Sequence, residues 1–255
     1  MLQSLIYTAQ RAGGAIMAVY ATGFAVRDKA DASPVTAADE AAEQIILADL
    51  ADIAPDIPVV AEESVAGGKI PVVADRFFLV DPLDGTKEFI SRRDEFTVNI
   101  ALIENGEPVL GVVLAPARRE LFWGDVRAGR AGHMDAEPDG TMPLMGTPLR
   151  ARAAPAQGLI AVASRSHRSP ETDEFLAKYP VTEFRSIGSS LKFCVVAAGQ
   201  ADIYPRLGPT MEWDTAAGHA VLAAAGGTVT TLDGEPFRYG KPDFRNGNFL
   251  ARGRP

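Results

Sequence analysis

Cysteine and histidine are scarce in this chain, with one Cys and three His in 255 residues. A lone Cys194 excludes an intrachain disulfide and suits a reducing compartment. Its neighbours Phe193, Val195 and Val196 mark it as a core thiol rather than a nucleophile. Without a Cys/His cluster, a metal site would be built from oxygen ligands, which suit a hard ion. Positive charge is short as well: 25 Lys and Arg against 33 Asp and Glu give a formal net charge of −8. No basic block occurs anywhere, which argues against nucleic acid as a partner, since that binding needs clustered cations to displace counterions. A small anionic substrate is still accessible if bound cations reverse the local field. Long apolar runs are missing too. The N-terminal MLQSLIYTAQRAGGAIMAVY has no cationic lead-in and is interrupted by Gln3, Gln10 and Arg11. It reads as neither a signal peptide nor a membrane span. Arg11 alone on its polar face is too little for a membrane-surface helix. There is no internal repeat and no low-complexity segment.

What is present is an ordinary globular composition, 47% hydrophobic and 23% charged, enough to bury a full core as one α/β domain or two fused lobes. Leu2, Leu5, Ile6, Ala9, Ala12, Ile16 and Met17 recur at helical spacing. A second helix is expected from Thr36 to Ala51, just after Pro34. Residues 57–61 and the run beginning at Phe77 read as strands, and 97–104 with 109–115 as a hairpin around Asn105-Gly106. A further strand is expected over 120–124, then a loop-rich passage over 133–158. Beyond it come a strand (159–164), helices (169–178 and 191–198), a strand (201–205) and an alanine-rich helix (215–225). The tail, 226–250, is marked by turns at Asp233-Gly234 and Asn246-Gly247. The pattern predicts a layered α/β architecture: an N-terminal lobe over 1–150 and a C-terminal lobe over 151–255.

The candidate chemistry lies in acidic residues. The apolar run Phe77-Phe-Leu-Val80 ends in Asp81-Pro-Leu-Asp84-Gly-Thr86. Fully extended, Asp81 and Asp84 would stand about 10 Å apart, whereas a turn with Pro82 at its second position holds the flanking Cα atoms within about 7 Å. Both carboxylates and the Leu83 carbonyl can then face one volume. Glu62 and Glu63 follow an apolar strand, and in an extended segment one of them faces a site while the other faces solvent. Asp214 reads as an N-cap, and Asp39 sits in the first turn of the second helix. Two like charges about 4 Å apart repel by about 4 kcal/mol at an effective dielectric near 20, so converging carboxylates call for cations such as Mg²⁺. Metals roughly 3.5–4 Å apart clamp the attacking and leaving oxygens of an in-line phosphoryl displacement. Gly85 and Thr86 would add backbone donors for a phosphate and a hydroxyl to orient water.

Asp81-Pro-Leu-Asp-Gly-Thr86, with Glu62-Glu-Ser64 upstream and Trp213-Asp-Thr-Ala-Ala217 downstream, resembles the inositol monophosphatase superfamily over nearly the whole chain. Glu95-Phe-Thr-Val-Asn-Ile-Ala-Leu102, Ser164-Arg-Ser-His167, Gly188-Ser-Ser-Leu-Lys-Phe-Cys194 and Tyr204-Pro-Arg206 resemble its bacterial 3′(2′),5′-bisphosphate nucleotidases of the CysQ type. The resemblance implies a layered αβαβα sandwich with metals between the lobes. It implies on the order of two or three Mg²⁺ ions, ligated by Glu62, Asp81, the Leu83 carbonyl, Asp84 and Asp214, and sensitivity to lithium. Thr86, helped by Glu62 or Asp39, would activate the attacking water. The substrate would be adenosine 3′,5′-bisphosphate, losing its 3′-phosphate to give AMP, with the 3′-phosphorylated sulfate donor as a second substrate. Placement would be cytoplasmic, at most peripheral at the inner membrane.

On the substrate side, Lys192 follows Ser189 by three residues on an expected helix, so the two would share a face. Arg206 ends a strand. The two cations suit a second phosphate that the metals do not reach, Arg bidentately. His167 is a candidate nucleotide contact, while His133 and His219 carry no role. Rival readings are an inositol monophosphatase or broad sugar-phosphate phosphatase on the same scaffold, and a non-catalytic metal- or phosphate-binding regulator.

Overall fold

The strand that leads to the aspartates is apolar on both faces. Phe78 and Val80 pack in one core, Phe77 and Leu79 in another. Successive side chains of a strand point to opposite sides, so such a sheet needs a covering layer on each face. The computed structural model, which describes residues 1–28, 34–136, 146–164 and 169–255, supplies both layers.

The central sheet has seven strands in the order β3 (Val59–Ala61), β4 (Arg76–Asp84), β5 (Thr97–Glu104), β6 (Glu107–Ala115), β7 (Glu120–Asp125), β8 (Arg130–Asp135) and β9 (Thr147–Pro148). β3 runs parallel to β4 and the other pairs are antiparallel. One face is covered by α1 (Leu2–Tyr20) and α2 (Ala37–Ile53), which pack on each other and on the sheet through Leu5, Ala9, Ile16, Ile46 and Leu50. A two-stranded ribbon, β1 (Val26–Asp28) with β2 (Pro34–Thr36), leads into α2. The opposite face carries α6 (Leu191–Ala197) and α7 (Ala216–Ala224).

These two helices are covered in turn by a five-stranded sheet ordered β11 (Val181–Ser186), β10 (Leu159–Ala163), β12 (Ile203–Arg206), β16 (Phe249–Arg252) and β14 (Thr228–Thr231). α5 (Pro170–Leu176) closes the outer side through Leu176, against Leu159, Ala161, Ile203 and Leu250. The layers are therefore αβαβα, as the resemblance implied. Short α3 (Glu62–Ala66) and α4 (Thr86–Ile90) follow β3 and β4, and β13 (Thr210–Met211) pairs with β15 (Arg245–Asn246) just ahead of Trp213. Among the described residues no helix is long and apolar enough to cross a membrane.

Several expectations change. Asn105 and Gly106 both take positive φ, as a tight two-residue hairpin turn requires. The passage expected as loop over 133–158 instead begins inside β8, so His133 is a strand residue stacked on Phe122. Part of that passage, 137–145, lies outside the described residues. β11 received no assignment from the sequence, and the tail read as turns contributes β14 and β16. Pro82 does not make a reverse turn. β4 continues through it, and the ladder steps from Asp81–Asn99 to Asp84–Thr97, which inserts one extra residue as a bulge. Proline is tolerated there because a bulged position has no ladder hydrogen bond to donate.

α7 lies unusually close to the central sheet. A Cβ built on Gly111 would stand 2.4 Å from the Ala217 carbonyl oxygen, and one on Gly124 2.7 Å from that of Ala220. Gly111→Ala is expected to push α7 outward and destabilise the fold by about 1–3 kcal/mol, the usual cost of overpacking. Urea unfolding would show it as a lowered midpoint with an unchanged slope, and a wild-type midpoint would contradict the close approach.

Candidate active site

Alternation along β4 sends Asp81 to the same side as Phe77 and Leu79, toward α6 and α7. The bulge then restores Asp84 to that side, opposite Thr97. It leaves Pro82 and Leu83 outside the ladder, so the Leu83 carbonyl is not taken by a neighbouring strand. The Leu83 N–H turns back to Asp81 Oδ1 at 3.0 Å. Gly85, at φ 93°, ends the strand and caps α4. Glycine is required, since a Cβ there would lie 3.1 Å from the Glu95 carbonyl oxygen besides meeting the left-handed backbone penalty.

Asp39 closes a capping box at the start of α2: its Oδ2 accepts from the Thr36 N–H at 2.8 Å and the Thr36 hydroxyl at 2.7 Å. Its other oxygen lies 3.3 Å from Thr86 Oγ1, as does the Leu83 carbonyl oxygen. The helix-start acid thus holds the hydroxyl expected to orient water. Glu62 opens α3 rather than continuing an extended segment, so the alternation argument for Glu62 and Glu63 does not apply. Asp214 is not an N-cap either; Thr215 occupies that position, and Asp214 Oδ2 accepts from the Met211 N–H at 2.8 Å. The turn before it is held by buried Glu212, which pairs with Lys241 at 2.7 Å and accepts the Gly240 and Lys241 backbone N–H groups.

Glu62, Asp81, Leu83, Asp84 and Asp214 all line one cavity of about 820 Å³, together with Gly85 and Thr86. Burial, then the charges of Glu62, Asp84 and Asp214, push the Asp81 carboxyl well above the usual carboxylate range. Burial, then Asp84 and Glu62, do the same to Asp214, against an opposing pull from the Met211 N–H and Arg206. Among the described residues no three such groups close around a single point. The arrangement is a set of mutually repelling oxygen donors facing one space. A hard divalent cation fits it, because added positive charge favours the ionised forms of Asp81 and Asp214.

The other wall comes from the C-terminal half. Ser189, at φ 55°, directs its hydroxyl to Asp84 Oδ2 at 2.6 Å. It precedes α6 instead of lying on it, so Ser189 and Lys192 do not share a helix face. Lys192 is buried; its ammonium donates to the Ser189 carbonyl at 2.5 Å and lies 5.4 Å from the centre of the Tyr204 ring. Burial lowers its pKa to about 8, opposed by Asp84, Glu88 and Glu95 and assisted by Arg206. Arg206 donates to the Pro209 carbonyl at 3.1 Å and has a buried Nε with no partner among the described residues. Both cations line the cavity that the acids line. His167 lies outside the described residues. Cys194 is fully buried, and burial pushes its thiol up, as a core residue requires. Sequence reasoning missed Thr97, Asn99 and Ser190. The signal was available: a threonine and an asparagine at alternate positions of an otherwise apolar strand beside β4.

The sequence model of the inositol monophosphatase family matches residues 1–253. The chain belongs to this family. Within it, a protein named 3′(2′),5′-bisphosphate nucleotidase CysQ from Shigella flexneri is 48% identical over 241 residues, 94% of each chain. The Escherichia coli K12 protein of that name is 46% identical over the same length and coverage. The crystal structure of CysQ from Bacteroides thetaiotaomicron superposes with a TM-score of 0.82 at 39% identity, covering 99% of this chain and 96% of that one. An inositol monophosphatase from Anabaena gives 0.76 at 27% identity, covering 99% and 90%.

For this family member, the raised carboxyls of Asp81 and Asp214 make cation binding and protonation compete. The cation-free fold holds these protons more tightly than the unfolded chain does. Their stabilising contribution is complete below the unfolded carboxylate pKa and is lost as pH rises through the raised folded values. The gain in melting temperature on adding Mg²⁺ is therefore expected to grow as pH rises through those raised values. Thermal unfolding with and without Mg²⁺ checks this, and a gain that shrinks with pH would contradict it.

Proposed function

We infer that the chain is a 3′(2′),5′-bisphosphate nucleotidase, a phosphoric monoester hydrolase that removes the 3′-phosphate of adenosine 3′,5′-bisphosphate to leave AMP. The observation that carries this is one cavity lined both by acids, Glu62, Asp81, Asp84, Glu88 and Asp214, and by cations, among them Arg206 and the buried Lys192. Two phosphates on one small molecule match that combination. The nearly 50% identity to proteins named for this activity supports it. The lobes 1–150 and 151–255 act as one catalytic unit, since both contribute residues to the cavity.

Glu62, Asp81, the Leu83 carbonyl, Asp84 and Asp214 would hold Mg²⁺. When bound, Mg²⁺ supplies the positive charge that offsets the phosphate and the charge developing in the transition state. The chain's own groups do the rest. Asp39 takes the Thr86 hydroxyl hydrogen, so Thr86 Oγ1 turns lone pairs to the cavity and accepts a hydrogen bond from the attacking water. Glu62, which lines the same cavity, would accept the proton. The water oxygen bonds to phosphorus as the P–O3′ bond breaks in line; the departing 3′-oxygen takes a proton from solvent, and Glu62 returns the one it accepted to solvent. Lys192 and Arg206 hold the 5′-phosphate, and the unpartnered Arg206 Nε is a donor available to it. His167 is retained as a nucleotide contact.

Turnover of adenosine 3′,5′-bisphosphate is expected to exceed that of inositol 1-phosphate by at least about a hundredfold, the scale of one charge-assisted contact of roughly 3 kcal/mol. Equal or faster release from inositol phosphate would overturn the assignment in favour of an inositol monophosphatase. Asp84→Asn is expected to abolish Mg²⁺-dependent phosphate release, and surviving release would remove the metal from the mechanism.

Lys192 adds a pH signature. It is charged below its pKa of about 8 and neutral above it. KM for the bisphosphate should rise above that pH, while KM for adenosine 3′-monophosphate, which lacks the 5′-phosphate, should not. Parallel profiles for the two substrates would remove Lys192 from phosphate binding.

A further inference from the structure

Two polar side chains of β5 stand behind the cavity without lining it. Thr97 and Asn99 are 0% and 1% exposed, on the face of β5 that otherwise carries Ala101 and Ile103. Buried polar groups are costly unless bonded, and these are bonded into one chain. Thr97 Oγ1 is 3.0 Å from Asn99 Oδ1 and 2.6 Å from Ser189 Oγ. Asn99 Nδ2 donates to Ser190 Oγ at 3.0 Å, and Ser190 Oγ donates to the Asp214 carbonyl at 2.7 Å. At the other end Ser189 Oγ reaches Asp84 Oδ2 at 2.6 Å and the Asp84 carbonyl at 3.1 Å. Four side chains thus connect a carboxylate at the end of β4 to the backbone that carries Asp214.

We propose that Thr97 and Asn99 are positioning residues, which hold Asp84 and Asp214 in register with each other through Ser189 and Ser190. The hydrogens available show why the hydroxyl of Thr97 matters beyond its volume. With Asp84 ionised, the contacts Asp84–Ser189, Ser189–Thr97 and Thr97–Asn99 share the hydrogens of only two hydroxyls. One contact is always short of a hydrogen, so the order can reverse. It points toward Asp84 when that carboxylate has no cation on Oδ2, and toward Asn99 when a cation takes its place. Thr97 thus holds Ser189 in both orders, as donor to it in the first and as acceptor from it in the second. No other hydroxyl occupies that junction among the bonds of this chain.

This inference rests on Asp84 and Asp214 acting as cation ligands, and its test separates the two claims. The probe is Mg²⁺ alone, with the full chain and no substrate, read as the Mg²⁺ concentration that gives half of the maximal rise in melting temperature. Thr97→Val and Asn99→Leu keep shape and remove the bonds; they should raise that concentration by about tenfold or more, the usual effect of losing a group that orients a metal ligand. Thr97→Ser restores the hydroxyl and should return it close to wild type. Activity lost by the first two variants at low Mg²⁺ should recover as Mg²⁺ is raised. Should either variant fail to fold, Ser190→Ala breaks the same chain from the other end and carries the same expectation. Variants that melt earlier without Mg²⁺ but keep the wild-type Mg²⁺ midpoint would overturn the proposal, because that is a purely structural effect. A wild-type protein with no Mg²⁺ response and no phosphatase activity would instead overturn the reading of the site itself.

Discussion

Four carboxylates share one partly dry space, and the rest of the molecule is arranged around their repulsion. Burial alone favours the neutral form of Asp81 and Asp214, and each neighbouring carboxylate adds to that preference. A fold does not gather such groups for stability, since apolar residues of similar size would serve a core better. The gathering is a cost in the cation-free state, and it persists because rigid elements hold each acid from behind. Asp81 lies on a strand paired on both sides, Asp84 on its bulged end, Glu62 on the first turn after a parallel neighbour, and Asp214 beside a helix pressed onto the sheet.

The acids that do not face the cavity act as anchors. Asp39 is occupied by Thr36 and by the Thr86 hydroxyl, and Glu212 by the turn around Lys241. Both fix the backbone near a cavity residue while keeping their own charge hydrogen-bonded. Lys192 takes an intermediate part. It is bonded to carbonyl oxygens, surrounded by Asp84, Glu88 and Glu95, and desolvated enough to titrate near neutrality. A cation so placed balances the acids in the free protein and remains available to an anionic ligand.

Much of this was legible in the residues. The Asp81–Thr86 loop, Glu62, Asp214, Lys192 and Arg206 were picked out from sequence, and all of them line the same cavity. The layering followed from the order of expected helices and strands, and its αβαβα form from the family resemblance. What escaped was structure set by partners rather than by local pattern. β11 alternates charged Glu183 and Arg185 at a sheet edge, and β14 and β16 are four-residue strands that exist because they pair with each other. The bulge was read as a turn because Pro82 and Gly85 suit both, and only the pairing with β5 separates them. Ser189 was placed on a helix because nothing local reveals its positive φ, which its bonds to Asp84 and Thr97 sustain.

The insertion of α6 and α7 between the two sheets also has a kinetic meaning. Asp84 belongs to a ladder built early in the chain, whereas Asp214 arrives only when the C-terminal helices have docked on Gly111 and Gly124. Such long-range closure comes late in folding, because loop-closure entropy must be met before the distant contacts form. No N-terminal fragment possesses the complete set of cavity acids, so an ion held by that set would select the finished molecule over every partly folded one. Ion binding to that set would favour the last step of folding and discriminate against chains that stop short of it.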